Sequence, residues 1–173
     1  MIKLIAPTNL IYKLNLNLIL KKIEYARESE SMKMHLQKLT FDHRFTKPVN
    51  LTGWDILDIL YRTNESVFIK TYTQNYFAWK FFPVNAYKPS VRIDLIYVNT
   101  RQLWRSSKEW EETIWHELVH IADHLSIFRF DHGQGANEND LDGKDDSAPV
   151  KFAKTMAAMT LPQNKEKFVW EKM

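Results

Sequence analysis

The sequence contains no cysteine among its 173 residues. Disulfide bonds are therefore excluded, and so are thiolate ligands for a metal ion. A metal bound by this chain must be held through nitrogen and oxygen atoms. The balance of 45% hydrophobic and 26% charged residues predicts a chain that buries a hydrophobic core. The length predicts a single domain over 1–173, with residues 1–50 as a candidate N-terminal extension or subdomain.

Long apolar runs are also missing. Polar residues, among them Lys3, Asn9 and Lys13, interrupt the first 22 residues, so the uninterrupted apolar core of a secretory signal is not present. No segment approaches the roughly 20 apolar residues that cross a bilayer. We therefore expect a cytoplasmic protein that does not contact a membrane. The sequence does not determine its oligomeric state.

The net charge of +3 and the pI near 9.0 conceal an uneven distribution. Residues 1–50 carry nine Lys and Arg against four acids, whereas residues 131–146 carry six acids against Lys144. Basic clusters attract nucleic acids, but no cluster here is dense enough to support more than a weak expectation of such a partner. The acidic stretch lacks the spacing of an EF-hand, and a solvated loop is favoured there over a calcium site.

Hydrophobic periodicity predicts an α+β fold with a small, mostly antiparallel sheet packed on helices. Residues 10–38 are expected to form a short strand and then a helix, and Thr52 with Asp55 caps a helix over 52–62. Strands are predicted at 66–74, 76–83 and 91–101 around a loop at 85–90, and a last helix between Ser147 and Pro162. Six aromatic residues are assigned to the core: Trp54, Trp79, Phe81, Phe82, Trp104 and Trp110.

The best-defined helix begins at the stretch SSKEWEETIWHELVH. Ser106 and Glu109 have the spacing of a capping box, in which each side chain satisfies a free backbone N–H of the first turn. Trp110, Ile114, Leu118, Ile121 and Leu125 then recur at helical spacing and predict a buried stripe. This stripe lies largely opposite a second set of residues, the His116, Glu117 and His120 of WHELVH.

The WHELVH stretch has the spacing of a zinc site. His120 follows His116 by about 40° around the helix and about 6 Å along it, so both imidazoles can reach one Zn²⁺ at about 2.0–2.1 Å. Zinc lowers the pKa of a bound water, and the adjacent Glu117 can take the proton of that water as it attacks a carbonyl. We therefore predict a hydrolytic zinc site with His116 and His120 as ligands and Glu117 as general base.

With these three residues after the strand RIDLIYVNT, the chain resembles the zincin metallopeptidases. That resemblance implies a peptide or protein substrate, which pairs in extended form with a strand beside the active-site helix. The run FDHGQGANENDLDGKDDSAPV also resembles a small, little-characterised set of bacterial and phage-type metallopeptidases, which carry His-Gly, Gly-Lys and Ser-Ala-Pro at similar positions. This narrower likeness covers about residues 90–160.

The third zinc ligand is less clearly marked. The metzincin pattern requires glycine and histidine where this chain has Asp123 and Ser126. His124 lies about 12 Å along an unbroken helix from His116, and Asp123 suits a hydrogen bond to an imidazole better than ligation. His132 is favoured, since the following Gly133 lets the chain turn back towards the site. The remaining alternatives are Glu138, Asp140, Asp142, Asp145 and Asp146.

The sequence therefore predicts a zinc metalloendopeptidase with Tyr87 or Tyr97 as the candidate stabiliser of the developing oxyanion. One alternative is a protease that acts on nucleic-acid-associated proteins, which only the basic pI suggests. Another is a structural or binding module whose zinc is architectural, held by four protein ligands such as His116, His120, His124 and His132.

Overall fold

A computed structural model describes residues 1–42, 46–130 and 146–162. Within these ranges the chain mixes helices and strands around one hydrophobic core. The helices are α1 (Thr8–Lys13), α2 (Leu16–Glu28), α3 (Glu30–Lys38), α4 (Gly53–Arg62), α5 (Tyr76–Phe81), α6 (Ser107–Leu125) and α7 (Ala148–Ala158). The strands are β1 (Lys3–Ile5), β2 (Thr46–Lys47), β3 (Ser66–Tyr72), β4 (Ala86–Tyr87), β5 (Leu95–Asn99) and β6 (Arg129–Phe130).

The main sheet has the strand order β1-β3-β5-β4 and is mixed. β1 pairs with β3, and β3 with β5, in parallel, whereas β4 pairs with β5 antiparallel. The expectation of a mostly antiparallel sheet was therefore wrong. Parallel neighbouring strands need a long crossover connection, and here helices α1–α4 lie between β1 and β3 in the chain. The alternation of residues along one strand does not show which distant strand it pairs with.

One face of this sheet packs on the helices. Val67 and Ile69 of β3 and Ile96 and Val98 of β5 are buried there. The N-terminal residues belong to the same core: Ile2, Leu14, Leu16, Ile19 and Ile23 are all buried in it. The core therefore joins the first helices, the sheet and α6, and it fixes the position of the helix that carries WHELVH.

Both predicted capping boxes are present. The Asp55 carboxylate accepts a hydrogen bond from the Thr52 N–H at 2.7 Å, at the start of α4. At the start of α6 the Glu109 carboxylate accepts from the Ser106 N–H at 2.8 Å, and the Ser106 Oγ accepts from the Glu109 N–H at 3.3 Å. The last helix, predicted after Ser147, is confirmed as α7, with a proline in its first turn.

Several local predictions were wrong. Residues 76–81 form helix α5 rather than a strand, and the loop at 85–90 contains β4. Residues 10–38 lie in helices α1, α2 and α3 and their short connections rather than in a strand and one helix. The core assignment holds for Trp110, which is fully buried, but Phe81, Phe82 and Trp104 are largely exposed. Aromatic residues are enriched in strands and cores on average. Their presence therefore did not indicate that residues 76–81 form a short helix on the surface of the protein.

No helix in the described parts of the chain combines the length and apolar character needed to cross a membrane.

Candidate functional site

Helix α6 presents the three residues of the motif on a firmly held backbone. Its stripe of Trp110, Ile114, Leu118 and Ile121 is fully buried, and only Leu125, near its C-terminal end, is partly exposed. His116 and His120 are partly exposed on another side of the helix. Because the stripe fixes the rotation of the helix about its axis, the direction of the two imidazoles is fixed with it.

The rings of His116 and His120 lie beside each other, with centroids 5.1 Å apart and planes inclined at 73°. Two imidazoles that bind one tetrahedral zinc, each through one nitrogen at about 2.0–2.1 Å, have centroids roughly 5 Å apart. The observed pair therefore fits a shared zinc ion without a change in the helix backbone. Neighbours at i and i+4 on a helix lie about 5–6 Å apart in any case, so the spacing permits shared ligation and does not by itself require it.

Glu117 lies between the two histidines in sequence and is buried, with 6% of its surface exposed. The expectation that the buried stripe lies largely opposite the whole motif was therefore wrong for Glu117, which follows Trp110 by seven residues and lies about 20° from it around the helix. The backbone N–H of Lys88, directly after β4, donates a hydrogen bond to its carboxylate. Burial raises the pKa of Glu117 to about 7, while that hydrogen bond and the Lys88 charge act in the opposite direction. A carboxyl group with a pKa in this range can take up and release a proton near neutral pH.

A cavity of about 350 Å³ adjoins this carboxyl group. It runs between the segment after α5, the first half of α6 and one side of α7. Its lining residues are Pro83, Val84, Asn85, Ala86, Arg105, Glu112, Thr113, His116, Glu117, Val150 and Ala153. The volume suits one or two side chains of a bound peptide rather than a large cofactor.

Arg105 forms a fixed part of the cavity wall. Its guanidinium donates to the Thr113 hydroxyl at 2.9 Å and lies 5.3 Å from the Trp110 ring centroid. Glu112 contributes a carboxylate to the same wall. The cavity is thus polar on the α6 side and apolar on the α7 side, where Val150 and Ala153 line it.

Three tyrosines cluster at the C-terminal ends of β3 and β4 and on β5. The rings of Tyr87 and Tyr97 stack at 5.3 Å, and the Tyr72 ring meets that of Tyr87 edge-on at 5.2 Å. Burial raises the pKa of Tyr72, and the charges of Tyr87 and Glu117 raise it further. The Tyr72 hydroxyl is thus within electrostatic range of Glu117. Only Tyr87 and Tyr97 were predicted from the sequence as candidate oxyanion stabilisers. The one feature of the sequence that could have added Tyr72 to them is its position at the end of a predicted strand.

The described residues do not form a complete candidate metal site. Within them, no group of three or more His, Asp or Glu side chains is close enough to hold an ion. The favoured third ligand, His132, lies outside the described residues, as do Glu138, Asp140, Asp142 and Asp145. Asp146 is described, and its carboxylate lies 3.2 Å from the Lys151 ammonium.

The two other candidates on α6 are placed by the structure. His124 is exposed. Asp123 is buried, and its carboxylate accepts a hydrogen bond from the Phe130 N–H at 2.6 Å and lies 3.6 Å from the Arg129 guanidinium. Asp123 therefore fastens β6 to the end of α6.

A scan against protein-family models, a search of curated proteins and a search of solved structures found no match to this chain.

Proposed function

We propose that this protein is a zinc-dependent metallopeptidase in which His116 and His120 hold the metal and Glu117 is the general base. The observation that carries the proposal is the placement of these groups on α6. The two imidazoles have the spacing of a shared ligand pair, and the buried carboxyl group beside them opens on the cavity. His132 is proposed as the third protein ligand, which leaves the fourth position for water.

When bound, zinc supplies Lewis acidity, which activates water and polarises the carbonyl group of a substrate. Glu117 accepts the proton of the attacking water and delivers it to the nitrogen of the leaving amine. The Lys88 N–H holds one side of the Glu117 carboxylate, so that the carboxylate keeps its orientation between the two proton transfers. That hydrogen bond is formed by the backbone, so it does not require the Lys88 side chain, and only a substitution by proline removes its donor.

Tyr72 is proposed to stabilise the negative charge that develops on the carbonyl oxygen. Its hydroxyl lies within electrostatic range of Glu117, and its ring is held in place by Tyr87 and Tyr97. A fixed donor beside the reacting carbonyl acts as an oxyanion stabiliser and needs no reorganisation during the reaction.

A peptide is the substrate that suits the surroundings of Glu117. Within the described part of the chain, β4 forms one of the two edges of the main sheet and lies antiparallel to β5. An extended peptide can add to such an edge through backbone hydrogen bonds. Because Lys88 directly follows β4 and donates to Glu117, a peptide on this edge would run past the general base. We propose a zincin-like arrangement on this basis.

The alternative of an architectural zinc accounts less well for these features. A structural site is closed by four protein ligands and has no use for a buried carboxyl group on a cavity. The exposed position of His124 near the end of α6 also offers no support for the four-histidine set.

Digestion of a peptide library tests the proposal. We expect the zinc-loaded protein to generate new peptide termini, detected by mass spectrometry. A chelator should abolish these cleavages and added zinc should restore them. Cleavage that continues unchanged after zinc removal would contradict the proposal, and so would a zinc-loaded protein that leaves every peptide and protein substrate intact. His124→Ala is the matched control and should cleave like the unaltered protein.

A further inference from the structure

Helix α5 is unusual because none of its residues is buried. The exposed fractions are 72% for Phe77, 66% for Phe81 and 71% for Phe82, which directly follows the helix. Single exposed apolar residues are ordinary, but several large aromatic side chains on one short element usually mark a binding site. We call α5 together with Phe82 and Arg101 the α5 surface.

The segment that carries this surface is rich in basic residues. Residues 66–105 contain a single acid, Asp94, and its carboxylate forms a two-bond pair with the Arg92 guanidinium at 2.6 Å. The same segment contains six bases: Lys70, Lys80, Lys88, Arg92, Arg101 and Arg105. Asp94 neutralises Arg92, and the Arg105 guanidinium lies 3.8 Å from the Glu109 carboxylate. The remaining bases, two of which (Lys80 and Arg101) belong to the α5 surface, favour an anionic partner, although the charge of the whole chain is only +3.

The cations of the α5 surface lie against its aromatic rings. The Arg101 guanidinium is 5.7 Å from the Tyr76 ring centroid and 5.9 Å from that of Trp79, and the Lys80 ammonium is 5.8 Å from that of Phe81. Arg101 is further fixed by a 2.7 Å hydrogen bond to the Gln74 carbonyl oxygen. Aromatic rings and cationic groups are thus mixed across the α5 surface. They do not form an apolar centre surrounded by charged residues.

We propose that the α5 surface binds single-stranded nucleic acid. Unpaired bases stack on exposed aromatic side chains whatever their sequence, and Phe77, Phe81 and Phe82 offer that contact. Lys80 and Arg101 pair with the phosphates between the bases. A duplex fits less well, because its bases are already stacked on each other.

An anionic bilayer explains the arrangement less well. Aromatic side chains that enter a bilayer leave their cationic neighbours at the headgroup level. Here the cations lie on the ring faces themselves, so insertion of Tyr76, Trp79 or Phe81 would carry Arg101 or Lys80 towards the acyl chains. A nucleic acid strand presents bases and phosphates side by side and meets rings and cations together.

The α5 surface is joined to the wall of the candidate catalytic cavity. The Gln74 side chain donates to the Phe82 carbonyl oxygen at 2.8 Å and accepts from the Val84 N–H at 3.1 Å. Val84 lines the cavity. A strand bound on α5 would therefore lie beside the entrance to the cavity, where it brings proteins attached to nucleic acid within reach. The binding itself does not depend on the proposed peptidase activity.

Fluorescence anisotropy with fluorescein-labelled dT20 and rU20 tests the proposal. We expect binding of one or both oligonucleotides, weakened roughly five- to tenfold between 50 and 200 mM salt because two cations contact phosphates. Phe81→Ala and Phe77→Ala should each weaken binding roughly fivefold or more, since each removes a stacked base. Lys80→Ala should weaken binding and reduce the salt dependence.

Tyr12→Ala is the matched control, because Tyr12 is 73% exposed, lies beside Lys13 and belongs to α1, outside the α5 surface. It should bind like the unaltered protein, and so should Glu117→Gln, which separates this proposal from the peptidase proposal. Absence of binding to both oligonucleotides, or binding that Phe77→Ala and Phe81→Ala leave unchanged, would overturn the proposal. Phe81-dependent binding to vesicles containing phosphatidylserine, without oligonucleotide binding, would assign the surface to a membrane instead.

Discussion

The ammonium group of Lys22 lies 2.6 Å from the carboxylate of Glu111 in the core, where both side chains are at most 4% exposed. Lys22 also donates to the carbonyl oxygens of Met156 at 2.9 Å and Ala157 at 3.2 Å. One cation thus joins α2, α6 and the C-terminal end of α7. Because Glu111 precedes His116 by five residues on α6, this contact helps to hold the helix that carries the candidate metal ligands.

Lys22→Met is expected to destabilise the protein strongly. It leaves the Glu111 carboxylate buried without its cation, which lowers the free energy of unfolding by about 3–5 kcal/mol. Lys22→Met combined with Glu111→Leu removes both charges and should recover most of that loss. Urea unfolding of the three proteins measures this. Equal stability of the single and double variants would show that the pair is not a coupled unit.

Zinc affinity, measured by calorimetry, should separate the ligands from the other histidines. Loss of a partner that only orients a ligand costs roughly 10–100-fold in affinity, so His116→Ala and His120→Ala should each cost more than about 100-fold. His132→Ala should match them, which tests the proposed third ligand directly. His124→Ala on the same helix should bind zinc like the unaltered protein. An equal loss in His124→Ala would indicate the four-histidine architectural site.

Without metal, the stability of the protein should depend on pH through Glu117. The pKa of this carboxyl is about 7 in the folded protein against an ordinary value of 4.5. Above pH 4.5 the unfolded chain loses the proton first, so stability falls as pH rises to about 7 and is then about 3 kcal/mol lower. Glu117→Gln removes this fall. In the presence of a chelator, the free energy of unfolding of Glu117→Gln minus that of the unaltered protein should be larger at pH 8 than at pH 4.5. A difference that does not vary with pH would contradict the raised pKa of Glu117.

Tyr72→Phe should reduce turnover without impairing the binding of substrate. Loss of one oxyanion donor lowers kcat by about 100- to 1000-fold, whereas the ring, which packs on Tyr87 and Tyr97, stays in place. Steady-state kinetics on a cleaved peptide gives kcat and KM separately. A change confined to KM would make Tyr72 a binding residue, and an unchanged kcat would remove it from the mechanism.

The sequence predicted α6 in detail because its determinants are local. The capping box of Ser106 and Glu109 and the stripe from Trp110 to Ile121 depend on neighbours within the same helix. The position of Glu117 beside its two histidines follows from helical spacing alone. Its burial is also local, because seven residues place it about 20° from Trp110 around the helix. The hydrogen bond from Lys88 and the approach of Tyr72, in contrast, depend on β4 and β3, which are distant in sequence. No local pattern marks such contacts.

The sheet was less accessible to prediction for the same reason. β-branched and aromatic content predicted a strand at 66–74, found as β3 at Ser66–Tyr72, but composition does not distinguish a parallel from an antiparallel neighbour. The stretch YFAWKFFP was assigned to a strand by its aromatic content, although residues 76–81 form α5. Its side chains are exposed, so the burial that usually accompanies aromatic strands does not apply.

The most direct test of the central claim is the rate of peptide hydrolysis by Glu117→Gln, with zinc content measured on the same samples. Glutamine preserves the shape of the side chain but cannot accept a proton from water. We predict that the variant holds as much zinc as the unaltered protein while its rate falls by about 100- to 10,000-fold, the contribution of a general base. An unreduced rate at equal zinc content would contradict the assignment of Glu117 as the general base.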